Sequence, residues 1–360
     1  MKKDFTIFSD ENKFVAWPAN FQTAGWEDQM FTSFVKGEHR GNSGLHSFDR
    51  DKPWTLCIAR SYDNGETWET EDTDLYEANP SYHVKKPELL KQFNGKIDFT
   101  DPNFVLMFNM SGHSSENEFS WWYYSTDKGH TWDGPFSITK MPEIPSTLSM
   151  RTQYIVLNSD EMLIFGTCQK SNHKEGRSFC AKMFSDGSFE FQGWIGDEIP
   201  GGRSIMPQAR MRKDGTLVAF MRNKEKYADN ERLHYIAQYE SNDMGKTWIY
   251  QRIPCPICHK GSNPPCLVVL NDGTWVLIYG VRDMPAGIRC VYSEDEGVRW
   301  SHEITLRPGN LGADLGYCRA IARPDGSAFV AYYYSWTPEL PRSIEGTIFD
   351  KEYLLKGKLK

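Results

Sequence analysis

Ser241-Asn242-Asp243-Met244-Gly245-Lys246-Thr247-Trp248 decides the fold, because its pattern, Ser-x-Asp-x-Gly-x-Thr-Trp, recurs along the chain. Ser61-Tyr62-Asp63-Asn64-Gly65-Glu66-Thr67-Trp68 and Ser125-Thr126-Asp127-Lys128-Gly129-His130-Thr131-Trp132 match at every fixed position. Ser293-Glu294-Asp295-Glu296-Gly297-Val298-Arg299-Trp300 departs only at the Thr. A worn fifth copy, Ser185 to Trp194, keeps Ser185, Asp186, Gly187 and a late Trp. These residue types describe a turn. The Asp carboxylate accepts bonds from backbone N–H groups and hydroxyls of its own loop, and Gly takes the positive φ that closes it. The Trp then folds back as an apolar plug between neighbouring sheets.

This turn is the Asp box, and through it the sequence resembles the sialidase-like, Asp-box (BNR repeat) β-propellers. Asp63, Asp127, Asp243 and Asp295 are read as structural staples on outer hairpins, not as catalysts. Between the boxes a second pattern recurs: an apolar strand, an Asp-Gly type turn and another apolar strand, as in Met211 to Phe220, Leu267 to Tyr279 and Ile321 to Tyr334. That inner hairpin plus the box hairpin makes four strands, one propeller blade. The units fall at Asn12 to Thr70, Ser81 to Phe136, Arg151 to Ile195, Pro207 to Ile253, Pro264 to Leu306, and Tyr317 onward. The last lacks a fourth strand and a box, whereas Phe5-Thr6-Ile7-Phe8 is spare at the other end. The expectation is therefore an all-β, six-bladed β-propeller of four-stranded blades, its ring closed by the N-terminal strand so that no sheet edge stays open. A repeat running almost end to end outweighs the length prior, so residues 1–360 are read as one domain.

The net charge of -7 and the absence of a basic cluster argue against a nucleic-acid partner. A local ring of Arg for an anionic ligand remains compatible with an acidic exterior. No window approaches a membrane span, and no apolar run follows Met1-Lys2-Lys3. Either the protein works in the cytoplasm, or a leader was removed and it is secreted or periplasmic. Cys57, Cys168, Cys180, Cys290 and Cys318 lie in strand-like stretches and read as small core hydrophobes of a reducing compartment. Cys255-Pro256-Ile257-Cys258-His259 with Cys266 has metal-like and haem-like spacing. It is read as a Pro-rich inter-blade loop with free thiols, and neither metal nor cofactor is assigned.

The long polar stretches Gly37 to Pro53, Asn109 to Ser120, Lys170 to Arg177, Arg222 to Arg232 and Arg282 to Ile288 follow inner strands and are expected to gather at one face. The family resemblance implies three arginines on a sugar carboxylate, a Tyr nucleophile with a Glu partner, and an Asp acid/base. Gly316-Tyr317-Cys318-Arg319 looks like the Tyr-bearing strand, and Arg289 is similar to one family arginine. The family's Arg-Ile-Pro is missing from the first blade, and Met206, in Ile205-Met206-Pro207-Gln208, stands where the Glu is expected.

Gly37 through Pro53, with Asn263-Pro264-Pro265, Tyr279 to Asp283 and Asp314 to Tyr317, also resembles propellers acting on rhamnose–glucuronate linkages. There a His does the acid/base work, sometimes as a lyase. The resemblance implies His46 or His113 as base and Tyr317 as acid, with Arg151, Arg210 or Arg222 as neutraliser. Asp314 either orients Tyr317 or fixes its turn. The substrate-binding set is Arg151, Gln208, Arg222, Arg282, Arg289 and Arg319. The expected function is a glycoside hydrolase acting on an oligosaccharide or polysaccharide with an acidic sugar. Alternatives are a uronic-acid lyase using the His, Tyr and Arg residues, a glycan-binding propeller, and a protein-interaction scaffold.

Overall fold

Four bonded turns organise the sheets. In the computed structural model, Ser61, Ser125, Ser241 and Ser293 each donate to the box Asp at 2.6–2.8 Å and accept the N–H of the box Gly at 2.8–2.9 Å. Thr67, Thr131 and Thr247 donate to the other carboxylate oxygen at 2.5–2.6 Å, and Arg299 supplies that bond in the fourth box through Nε at 2.6 Å. The turn asks more than the sequence shows, because the residue before each Gly is also left-handed: Asn64, Lys128, Met244 and Glu296 have φ of 56–62°. Side chains tolerate that region at a cost that the Asp bonds offset.

The structure describes residues 1–41, 46–49, 52–75, 87–113, 118–144, 146–226, 231–261, 263–312, 314–337 and 341–357. Parts of three long loops, Arg50 and Asp51, and the expected start of the second blade at Ser81 lie outside them. The strands are β1 (Lys2–Phe8), then β2 (Lys13–Ala16), β3 (Thr23–Gly25), β4 (Met30–Glu38), β5 (Trp54–Ser61) and β6 (Glu69–Asp72) of the first blade. The second holds β7 (Val105–Met110), β8 (Ser120–Ser125) and β9 (Asp133–Ser137). The third holds β10 (Leu148–Ser149), β11 (Tyr154–Val156), β12 (Glu161–Gln169), β13 (Glu175–Phe184) and β14 (Phe189–Trp194). Next come β15 (Arg203–Met211), β16 (Leu217–Lys226), β17 (Arg232–Ser241) and β18 (Ile249–Arg252), then β19 (Cys266–Val269), β20 (Trp275–Val281), β21 (Gly287–Ser293) and β22 (Ile304–Pro308). The sixth blade has β23 (Gly316–Ala322), β24 (Ala328–Tyr334) and β25 (Ser343–Phe349), followed by helix α1 (Lys351–Lys356).

These six antiparallel sheets make an all-β, six-bladed β-propeller. The sixth sheet has the order β1-β25-β24-β23, with Lys2 opposite Phe349 and Phe5 opposite Gly346, so the N-terminal strand is its fourth strand. The second sheet shows three strands among the described residues. The chain before β7 instead makes a parallel bridge from Lys91 to Phe136, on the outer strand, and Phe93 packs its ring on Trp122 and Phe136. The worn copy is not a box. Ser185 and Asp186 are adjacent, without the spacer that lets Ser reach Asp, so Ser185 bonds Asp160 at 3.0 Å and Asp186 bonds the Ser188 hydroxyl at 2.6 Å in a short hairpin.

By internal contacts the chain forms two compact units. One comprises Met1–Ser81, Glu231–Ile236 and Ile253–Lys360, with the first, fifth and sixth blades. Its core interleaves Val276, Ile278 and Cys290 with Ala328, Val330 and Tyr332. Trp68 of the first box lies 5.1 Å from Phe329 of the sixth blade, and Phe5 of β1 stacks on both. The other unit, Tyr82–Asn230 and Ala237–Arg252, has one core around Phe108, Trp122, Ile164 and Phe179 and another around Phe165, Cys180 and Ala219, on which Trp248 packs. Each such fully buried side chain of Ile, Val or Phe contributes about 1.5–3 kcal/mol.

All eight cysteines are free and buried, and burial pushes the Cys168 thiol up to about 11. Cys258 pairs backbone with His234, and burial pushes its thiol and that of Cys266 up to about 12. No helix among the described residues is long and apolar enough to cross a membrane.

Candidate active site

In a four-stranded antiparallel blade, the loop from the second to the third strand and the loop into the first strand emerge at the same end, opposite the Asp boxes. His46 stands on the β4–β5 loop, Arg282 on the β20–β21 loop, and Tyr333 and Arg342 flank the β24–β25 loop. Asp314 and Tyr317 lie at the start of β23, and Asn263 precedes β19. All belong to the first compact unit, and most of them converge on one carboxylate.

Asp314 is fully buried. Its Oδ2 accepts the backbone N–H of His46 at 2.8 Å, and its Oδ1 accepts the Tyr333 hydroxyl at 2.6 Å. His46 Nδ1 lies 3.1 Å from Oδ1, an ion-pair distance without the alignment of a linear hydrogen bond. Arg282 Nη2 and Arg342 Nε stand 3.9 and 3.7 Å from the carboxylate. Burial opposes ionisation of Asp314, but the His46 contact, the Tyr333 bond and the Arg282 charge outweigh it and hold the carboxyl at about 2. Burial, reinforced by that carboxylate, pushes the Tyr333 hydroxyl well above the usual phenol range, so it stays a donor. Burial opposes the Arg282 charge too, yet Tyr333, Tyr317 and Asp314 hold its pKa up.

Three residues of this cluster adopt left-handed backbone: Trp17 at φ 64°, His46 at 53° and Tyr317 at 52°. Such conformations cost of order 1–3 kcal/mol each and persist only where the surroundings enforce them. The Trp17 ring stands edge-on to His46 at 5.2 Å and also packs on Phe48 and Trp54. Asn263, fully buried, accepts the Tyr317 N–H at 3.3 Å and donates to the Gly280 carbonyl at 3.1 Å. A Cβ at Gly316 would sit 2.7 Å from the Asn263 side chain, so the wedge needs glycine there. With Nδ1 turned to Asp314, Nε2 of the partly exposed His46 faces away from the carboxylate. Tyr317 packs its ring 5.9 Å from that of Tyr333.

The second unit carries its own trio. Arg151 donates to Glu175 at 2.6 Å, and His113 Nδ1 lies 4.0 Å from the other oxygen of Glu175. Burial opposes ionisation, and Arg151, His113 and Arg203 outweigh it and bring the Glu175 carboxyl to about 2. Arg222 is buried, with Nη1 4.0 Å from the Met206 sulfur, and Met206 has φ 55°. Gln208 lies half-buried on β15, opposite Phe220. Arg210 is exposed. Arg289 and Arg319 join neither cluster: Arg289 bonds Thr305 and the Pro285 carbonyl, and Arg319 bonds the Phe21 carbonyl at 2.9 Å. Both hold strands and loops together.

Asp314 thus orients His46, whereas its position beside Tyr317 had pointed to that residue. Tyr333, Arg342 and Glu175 escaped the sequence reading. Tyr333 sits in an apolar run that reads as core, and nothing local marks Glu175 among the chain's 48 acidic residues. Among the described residues, no group of three or more His, Cys, Asp or Glu side chains is arranged to hold a metal ion.

The family model described as a BNR repeat-like domain matches residues 98–336. The chain belongs to this family. No protein of curated function matches the sequence. Among solved structures, this BNR repeat-like protein is similar to a Dyadobacter fermentans protein of unknown function, at 18% identity and a TM-score of 0.70 over 96% of this chain and 97% of that one. It is also similar to Trypanosoma rangeli sialidase in complex with sialic acid, at 14% identity and a TM-score of 0.62, covering 99% of this chain but 60% of the sialidase. Penicillium chrysogenum α-L-arabinanase complexed with arabinobiose aligns at 13% identity and a TM-score of 0.63, over 96% of this chain and 97% of that one. Likeness at these identities concerns the fold: this is a sialidase-like BNR β-propeller.

Proposed function

We propose that this BNR repeat-like protein is a carbohydrate-active enzyme that breaks a glycosidic bond at an acidic sugar, with His46 as its acid/base. The observation that carries the reading is the two-point hold of buried Asp314 on His46, at the backbone N–H and at ring Nδ1. A carboxylate so placed fixes the imidazole with Nδ1 inward and Nε2 outward, which is the orientation that proton transfer at Nε2 requires. Arg282 and Tyr317 supply the cation and the hydroxyl that an acidic ring would meet, and His113, Arg151 and Arg222 are the corresponding candidates of the second unit. The sugar-bound sialidase and arabinanase structures support a glycan as substrate.

Elimination is a second reading, favoured by the full engagement of Asp314. Held at about 2 and bonded on both oxygens, it is no proton donor at neutral pH. In this reading His46 takes the C5 proton of a uronic acid, Arg282 neutralises the carboxylate, and the Tyr317 hydroxyl protonates the departing oxygen as the C4–O bond breaks.

The test is incubation with sialyl conjugates and with uronic-acid oligosaccharides, reading released sugar by chromatography and unsaturated product by ultraviolet absorbance. Saturated free sugar establishes hydrolysis and unsaturated product establishes elimination. In either case His46→Ala is expected to lose about 10²–10⁴-fold in kcat. Binding without turnover on both panels overturns the enzyme reading in favour of a glycan-binding propeller.

A further inference from the structure

Within the second unit, a groove of about 900 Å³ opens between residues 138–144 and 146–148 on one side and the β12–β13 loop on the other. Its lining includes neither His113 nor Glu175, although Gln169, the ladder partner of Glu175, is part of it. Trp194 forms one wall. The Arg177 guanidinium lies over its ring at 3.7 Å from the centroid, and Arg177 Nε is buried without a hydrogen-bond acceptor among the described residues. The flat face of Arg177 is thus held by the indole while its Nε donor has no acceptor among the described residues. A guanidinium held this way is preorganised for a planar or tetrahedral oxyanion, because little rotamer freedom is left to lose on binding.

The rest of the lining agrees. Lys170 is buried, its ammonium donates to the carbonyls of Ile199, Pro200 and Gly202 at 2.9–3.1 Å, and the Glu198 charge acts on it from the same lining. Lys140 is exposed and forms no ion pair among the described residues. Glu198 is the lone acid of the lining, and it accepts the Ser171 hydroxyl at 3.0 Å. Three cations against one carboxylate make a positive groove on a protein whose net charge is -7. Met141, Ile144 and Leu148 add apolar surface to the lining. An anion carried on a ring with one apolar face matches this combination, and the volume lies within the range of pockets that enclose a compact ligand.

We propose that this groove binds a saccharide bearing a carboxylate or sulfate group, with Arg177 as the oxyanion clamp. It is a holding subsite separate from the bond-breaking residues. Occupation of the groove retains an anionic chain on the protein between cleavage events.

The test is calorimetric titration of the full chain with a uronic-acid oligosaccharide, a sulfated oligosaccharide and a neutral one of equal length. The wild type is expected to bind at least one of the anionic ligands more tightly than the neutral one. Arg177→Ala is expected to weaken that binding tenfold or more, and Lys140→Ala, at an exposed position, to weaken it several-fold. Arg177→Lys restores part of the loss through charge but not the bidentate geometry. The preferred anionic ligand, carboxylate or sulfate, identifies the class. His46→Ala leaves the Arg177-dependent binding intact, so loss of turnover and loss of groove binding are read separately. The proposal is overturned if neither anionic ligand binds, if the neutral ligand binds equally well, or if Arg177→Ala and Lys140→Ala titrate like the wild type.

Discussion

Asp314 grips His46 at two points, accepting its backbone N–H at 2.8 Å and facing its ring Nδ1 at 3.1 Å. The first contact fixes a left-handed residue in its loop, and the second selects which ring nitrogen faces outward. The position and ring orientation of the candidate acid/base therefore depend on one buried carboxylate.

Replacing Asp314 with Asn keeps the shape but removes the charge. Asp314→Asn is expected to lower kcat by about 10²-fold or more with a smaller change in KM, because the ring loses the carboxylate that faces its Nδ1. An unchanged kcat would show that Asp314 only supports the loop.

Acid stability provides a separate measurement. Asp314 titrates at about 2 in the folded chain, below the ordinary 3.8, so its contribution is complete above about pH 4 and is lost as pH falls toward 2. The contribution is of order 2 kcal/mol. Tyr333→Phe removes the 2.6 Å donor to the carboxylate, so the carboxyl titrates nearer its ordinary value and acid loss begins at higher pH. Urea unfolding midpoints between pH 2 and 7 check this, and superimposable curves for the two proteins would contradict it.

Two glycines with the same φ of 90° separate strain from packing. At Gly215 an added Cβ meets nothing within 4 Å, whereas at Gly245 it lies 2.6 Å from the Cys180 sulfur. Gly215→Ala should cost about 1–2 kcal/mol from the left-handed backbone alone. Gly245→Ala should cost clearly more, and the second change Cys180→Ala should recover the excess but not the backbone strain. Equal thermal midpoints for the two single variants would be the contrary result.

Deleting residues 1–8 removes β1 and leaves β25, buried along its whole length, as an open sheet edge. The Phe5 ring that stacks on Trp68 and Phe329 goes with it. The shortened chain is expected to melt at lower temperature and to associate in a concentration-dependent manner on light scattering, as unpaired edges do. A monomer with the parental melting temperature would show that β1 is dispensable.

What was legible in the sequence is what short-range bonding writes. The box turns close through contacts between residues two to four apart, such as Ser241 to Asp243 and Asp243 to Thr247, so their chemistry is visible as spacing. Repetition of the inner hairpin together with the box gave the blade count, and the spare Phe5 to Phe8 segment announced the strand that completes the last blade. The worn copy misled because it kept the composition of a box but not the spacer between Ser185 and Asp186. The loops that hold His46, Arg282 and Tyr317 could likewise be placed, because they follow from where the strands end.

Only the tertiary structure decided which partners those residues have. His46 meets Asp314 across 268 positions of sequence, and Tyr333 donates to that carboxylate from a strand that reads as core. The same arginine pattern gave Arg282 to the cluster and set Arg289 and Arg319 to bracing backbone carbonyls. Distances between distant loops depend on blade twist, register and bulges summed over the whole fold, and no local spacing encodes them.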